Sequence, residues 1–319
     1  MTGLLSTFLS AFSNGVYLTV NRTVLLNTSP IVFGFLVMGT VGVLLALYSI
    51  YKYGFQEFKN AIKTNLTFLL LMGIIASTLN FLLFWGLQLS TATNSAIITR
   101  LDVLFAAILG GIFFGERLKG WDWAAVIILI FGSLRVLQID ISQFTANKGD
   151  ILFIIHTFLV AVNAQIIRYK LAEVKGSIKA CFNAGSCSLI YLTVIILTGQ
   201  TQQLAVAMGE HTVPIGVSIM LLTFQYPTYY YGLQMLETWT VRSIFLVMLL
   251  TSSMSSYFLL GEHITGIQIQ GMILVSAGVL LLSYNQKLKG EKDARLLKCS
   301  RPGLFKKNNN KETFFHIKP

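Results

Sequence analysis

Long apolar stretches alternate with short polar breaks along this chain. A bilayer core takes about 20 mostly apolar residues per helix. Ten stretches of that kind occur, at roughly 4–21, 31–51, 65–87, 93–114, 121–138, 150–169, 178–198, 214–235, 239–260 and 266–285. The breaks carry turn and polar residues, among them Asn27-Thr28-Ser29-Pro30, Ser90-Thr91, Gly115-Glu116-Arg117, Asn147-Lys148-Gly149-Asp150 and Gly261-Glu262-His263. The runs are too long for barrel strands and lack strict alternation, so they are expected to be helices. The expectation is an all-α, polytopic membrane protein with ten transmembrane helices. The start lacks a basic region and a small-residue cleavage site, and reads as a retained first span rather than a signal peptide.

Two halves of the chain match each other at one offset. Adding 146 takes Gly86-Leu87-Gln88 to Gly232-Leu233-Gln234, Gly115-Glu116 to Gly261-Glu262, Gly120 to Gly266 and Gly132 to Gly278. It also takes Phe12 to Phe158 and Arg22 to Arg168. Each repeat holds five spans, an odd number. The second copy must therefore insert upside down, as in the inverted repeats of many secondary transporters. The expected organisation is a first repeat over 1–146, a second over 147–286 and a basic tail over 287–319.

These residues resemble a known family. Ser90-Thr91-Ala92-Thr93-Asn94-Ser95-Ala96 precedes a span ending Phe113-Phe114-Gly115-Glu116-Arg117-Leu118, followed by a span with Gly132. The second copy ends Leu259-Leu260-Gly261-Glu262 and continues to Gly278. The pattern is similar to an EamA-type repeat, and two of them resemble the drug/metabolite transporter superfamily over residues 1–286. The resemblance implies ten helices, with the first, third, fourth, sixth, eighth and ninth around a central cavity. Arg100, Asp102, Gln225 and Arg242 would then lie on cavity-forming helices. Members of the superfamily often carry a proline early in the fourth span, where this chain reads Thr99-Arg100-Leu101-Asp102-Val103.

Composition agrees with a membrane protein: 54% of residues are hydrophobic and only 12% charged, about half the charge of a soluble domain. The net charge of +11 is the odd feature. With the N-terminus inside, nineteen Lys and Arg fall on the cytoplasmic side, and only Arg22 and Lys148 outside. The basicity is thus read as topology plus a tail near anionic lipid headgroups, not nucleic acid. Residues 287–319 hold ten of the basic residues and have little to bury, so they read as a flexible tail. The predicted location is the plasma membrane, with both termini cytoplasmic. Cys181, Cys187 and Cys299 show no metal spacing or paired framework and are expected to be free thiols. No cofactor is expected.

Ionisable groups at bilayer depth cost roughly 2.5–3.5 kcal/mol on insertion scales, so each is a functional candidate. Arg100 and Asp102 lie within the fourth span. Two residues apart, they point to different sides of the helix and cannot pair with each other. Arg100 could hold an anionic group, and Asp102 could be its counterpart or a proton carrier. Arg242 begins the ninth span, where it could snorkel to headgroups or reach a ligand. His156 in the sixth span could relay protons or serve as a structural donor. Asn14, Asn80 and Gln225 are amides within spans, along with Asn163 and Gln165. Each can bond between helices or face a substrate. The run Phe224-Gln225-Tyr226-Pro227-Thr228-Tyr229 suggests a broken eighth helix whose Tyr226 and Tyr229 offer ring faces and hydroxyls. Trp85 is the ring candidate at the corresponding place in the first repeat. Glu116 and Glu262 read mainly as helix terminators.

The leading expectation is a secondary transporter for a small polar metabolite, working by alternating access, with membrane lipids around it. Proton coupling and a homodimer are both compatible with it. An integral membrane enzyme is the main alternative, but no DxxxD, HxxxD or HExxH cluster supports it. A sensor or scaffold is the other.

Overall fold

A computed structural model describes residues 2–25, 28–116, 118, 120–140, 142 and 146–300. The helices are α1 (Gly3–Leu25), α2 (Pro30–Tyr53), α3 (Phe55–Leu89), α4 (Ala92–Thr99), α5 (Asp102–Phe114), α6 (Gly120–Val136) and α7 (Asp150–Gln165). A π-helical turn, Ile166–Lys170, extends α7. Then come α8 (Gly176–Thr198), α9 (Thr201–Glu210), α10 (Thr212–Met235), α11 (Thr238–Phe245), α12 (Val247–Leu260) and α13 (Gly266–Ser300).

All ten expected spans are helical. Among the described residues, eight of them are long and apolar enough to cross a membrane. Of the other two, α6 has only 17 residues, and α10 carries the polar Gln225–Tyr231 stretch. Two spans are divided: α4 and α5 form the fourth, and α11 and α12 the ninth. Beyond the expected spans, α9 links α8 to α10. The last helix continues past Gln286 to Ser300, where the sequence reading placed the start of a tail. Residues 301–319 lie outside the described ones.

The packing repeats across the two halves. Helix α1 packs on α10 and α12, and its mate α7 packs on α3 and α5. Two pairs are their own mates: α2 with α8, and α6 with α13. The α6–α13 crossing needs small residues. A Cβ on Gly132 would lie 2.9 Å from the Val275 backbone nitrogen, and one on its mate Gly278 would lie 2.7 Å from Leu129 Cγ. Two large apolar cores and a small third one result. One of the large cores gathers Leu45, Leu69, Ile178 and Leu233. The other gathers Val103, Leu129, Trp239 and Val275. Tyr229 packs against both, so the space between the cores is where polar groups can meet.

The breaks in the fourth and ninth spans are repeat mates, since Arg100 plus 146 is Leu246. Neither unwinds. At the first, Arg100 and Leu101 donate to Ile97 and Ile98, three residues back. At the second, Leu246 donates to Ser243 and Leu249 to Leu246. This 3₁₀-like tightening reorients the helix without stranding backbone groups. The expected break at Pro227 is absent, and α10 runs continuously through it. Hydroxyls from α1 line this part of α10: Ser13, Ser10 and Ser6 donate to the carbonyls of Leu221, Gln225 and Thr228.

Candidate functional site

Asp102 opens α5, just past the first break, and is 5% exposed. Arg242 projects from α11 across the gap between the repeats. Its Nε donates to Asp102 Oδ2 at 2.7 Å, and a second guanidinium nitrogen contacts the same oxygen. A third reaches the Tyr229 hydroxyl at 3.3 Å. The side chain turns inward to a carboxylate rather than outward to headgroups. Asp102 Oδ1 is buried and without a hydrogen bond.

No hydrogen bond or ion pair joins Arg100 to Asp102 among the described residues. The Arg100 Nε is buried and unbonded, and no ion pair engages the guanidinium among the described residues. It lines a chamber of about 390 Å³ together with Asp102, Ser95, Thr99, His156 and Arg242. A second chamber, of about 330 Å³, shares His156, Val160, Arg242 and Phe245 with the first. It brings together Asn14, Asn163, Asn183, Gln225, Tyr226 and Tyr229. Volumes of this order suit a small metabolite. His156 Nδ1 lies 2.9 Å from the Leu79 carbonyl. A carbonyl only accepts, so Nδ1 carries the hydrogen and Nε2 is left for a ligand or a proton.

Most of the residues singled out in the sequence therefore meet around two adjoining chambers. Trp85 does not. It is 60% exposed on α3, because its neighbour Gly86 is the residue turned onto Phe153 of α7. The side chain of Asn80 lies outside the described residues.

Glu116 is the residue that sequence reasoning undervalued. It does follow a left-handed Gly115 that ends α5, as a terminator should. Yet it is 5% exposed and holds several elements together. Tyr169 donates to Oε1 at 2.6 Å, and the Thr238 backbone N–H approaches both carboxylate oxygens at 3.1 and 3.2 Å. Arg168 Nε lies 3.1 Å from Oε1, an ionic contact without hydrogen-bond alignment. The carboxylate thus caps the N-terminus of α11, where the helix dipole favours it. Beside it, the Phe114 and Tyr169 rings stack at 3.6 Å. The network ties the end of the first repeat's fourth span to the sixth and ninth spans.

The repeat relation turns this cluster into one of a pair. Glu262 is the mate of Glu116 and Arg22 the mate of Arg168, and Arg22 pairs with Glu262 at 2.5 Å. Gly261 is left-handed like Gly115, with φ of 68° against 69°. Gln165 donates to the Ala106 carbonyl at 3.0 Å, and its mate Thr19 to the Ser252 carbonyl at 3.1 Å. The difference is burial. The side chains of Arg168 and Glu116 are 18% and 3% exposed, those of Arg22 and Glu262 60% and 41%. The exposed pair borders a cavity of about 250 Å³ with Ser252, Ser253 and Ser256. At the other end, Ala106, Ala107 and Gly110 are buried. The matching offset of both charges was the sequence signal for this pair.

Comparison with known proteins gives these features a setting. An uncharacterized transporter of Methanothermobacter thermautotrophicus is 22% identical over 303 residues, covering 89% of this chain and 87% of that protein. A probable amino-acid metabolite efflux pump of Escherichia coli K12 is 25% identical over 228 residues, covering 64% of this chain and 76% of the pump. A crystal structure covering 88% of this chain and 94% of its own superposes with a TM-score of 0.64 at 14% identity, which shows a shared fold. Residues 1–138 and 147–284, the two halves related by the offset, each match one family. The chain is a membrane protein of the EamA-like transporter family, within the drug/metabolite transporter superfamily.

Proposed function

We propose that the protein is a secondary transporter that carries a small polar metabolite by alternating access. The observation that carries this reading is the pair of repeat-related ion pairs held in unlike environments. Glu116 and Arg168 close the end of the bundle that bears Lys52, Lys170 and Lys175. Arg22 and Glu262 stand at the opposite, more open end. Two halves of similar build and inverted orientation can exchange these roles at modest cost. Exchange would bury one latch as it exposes the other, and the chambers around Arg242 would face each side in turn.

By the positive-inside bias, the Glu116 end is cytoplasmic and the bundle as described faces outward; in this reading it works in the plasma membrane. Substrate would sit between the two divided spans, with Arg100, Asp102, Arg242 and Tyr229 on one side and the amides on the other. Relatives named as amino-acid metabolite efflux pumps make amino acids and compounds derived from them the first panel to test. For proton coupling, His156 is better placed than Asp102, whose carboxylate is already held by Arg242.

Counterflow in proteoliposomes tests the reading. Vesicles preloaded with an unlabelled substrate should transiently accumulate the labelled form. A protein that binds members of the panel yet never exchanges them across the bilayer is not a transporter of this kind.

A further inference from the structure

The charges around the two chambers do not cancel. Arg100, Asp102 and Arg242 are the charged residues lining them among the described residues, with His156 as the only other ionisable group apart from tyrosines and a cysteine. Asp102 is committed to Arg242 through two guanidinium nitrogens. Arginine stays protonated in proteins, so Arg100 cannot relieve the imbalance by losing a proton. One positive charge is left over at bilayer depth, where an unpaired charge is costly. Its Nε is already desolvated and unbonded.

We propose that this leftover charge selects the substrate: the chambers take a small carboxylate with a net charge of −1, not a zwitterion. The inference rests on the transporter reading above and narrows its substrate class. Arg100 supplies a planar, forked donor that suits a carboxylate. Thr99 and Ser95 line the same chamber. A zwitterion would bring an ammonium group as well. The one carboxylate in reach, Asp102, is already neutralised by Arg242 through Oδ2; an ammonium on its unbonded Oδ1 would restore the imbalance that the substrate carboxylate removed. The remainder of the substrate would extend past Arg242 into the second chamber. Tyr226, Tyr229 and Phe245 there offer ring faces, and Asn163 and Gln225 offer amides. Gln225 Oε1 is buried and unbonded, as is Asn163 Oδ1, so both are acceptors in want of a donor. An amide or hydroxyl next to the carboxylate would satisfy one of them. An aromatic N-acylated amino acid fits this description, and so does an aromatic 2-hydroxy acid.

The test is thermal stabilisation of the purified full-length protein in detergent, with four probes: 3-phenyllactate, N-acetylphenylalanine, phenylalanine and phenylalaninamide. The two monoanions should raise the melting temperature in a saturable way, while the zwitterion and the cation should not. Arg100→Gln should weaken monoanion binding by roughly tenfold to a hundredfold, the scale of a lost charge-assisted contact, and Arg100→Lys should recover part of it. Stabilisation by phenylalanine equal to or stronger than that by the monoanions overturns the proposal. So does monoanion binding that is indifferent to Arg100→Gln, or no response to either monoanion. If Arg100→Gln does not fold, the wild-type ranking of monoanion against zwitterion decides the charge question alone. Binding is read separately from flux, so a monoanion that binds but is never exchanged would fail the transporter reading and leave the binding class intact.

Discussion

The Glu116 latch can be broken with a single atom-for-group change, Glu116→Gln. The side chain keeps its size and loses its charge. In the sealed arrangement this leaves the half-buried Arg168 with one carbonyl partner, Leu233, and weakens the cap on α11. Removing one member of a buried ion pair typically costs about 3–5 kcal/mol. Once that end opens, water solvates Arg168 and the cap, and the cost disappears. The substitution therefore acts on one conformer and not on the other. Every 1.4 kcal/mol is about a tenfold change in ratio, so the balance should move by about a hundredfold or more toward the form open at the Glu116 end. The mate substitution, Glu262→Gln, is the internal control. That pair is largely exposed, and exposed pairs are worth only about 0–1 kcal/mol, a shift of about fivefold at most. The assay is maleimide labelling of two single cysteines placed at repeat mates, Ala106→Cys and Ser252→Cys, in a background without Cys181, Cys187 and Cys299. Ala106 is fully buried and Ser252 borders the far cavity. Glu116→Gln should speed labelling at position 106 and slow it at 252. Equal labelling rates with and without the carboxylate would refute the latch.

Other outcomes follow from the same contacts. Asp102→Asn and Arg242→Gln should each lower the melting temperature in detergent, and the double variant should lose less than the sum, because each single change strands a partner; strict additivity would mean that the pair contributes no coupling. Gly132→Ala should reduce the folded yield and thermal stability, since its Cβ would meet the Val275 backbone at 2.9 Å; a wild-type melting temperature would show that α6 and α13 cross more loosely. Pro227→Ala should leave uptake close to wild type, because α10 is already continuous; loss of transport would show that the proline has a dynamic role. If His156 carries the proton, His156→Gln should abolish pH-driven uptake while sparing exchange, and retained pH-driven accumulation would exclude that role.

Much of the architecture is written in local chemistry. Apolar runs of bilayer length and polar breaks locate all ten spans, because a helix in lipid must be apolar along its length and its loops must not be. The repeat is visible because Gly115 and Gly261 answer the same left-handed need, and Gly132 and Gly278 the same close crossing. The site is harder to read, since its defining contacts join residues far apart in the chain. Nothing local tells Arg242 whether to snorkel or turn inward; Asp102, 140 residues away, decides it. The helix breaks at Arg100 and Leu246 carry no proline or glycine, for they are a shift to shorter hydrogen bonds rather than an unwinding. Pro227 misleads for the opposite reason, since α10 runs on through it unbroken. Glu116 and Glu262 look alike in sequence and differ in burial, a difference that belongs to the conformation and not to the residues.

The central claim is movement of a bound metabolite across the bilayer. The direct measurement is counterflow in proteoliposomes, using a metabolite that has first been shown to stabilise the purified protein. Alternating access predicts transient accumulation of the labelled compound in preloaded vesicles, lost when Arg242 is replaced by glutamine. Stabilisation of the protein by that compound with no exchange in preloaded vesicles would contradict the account.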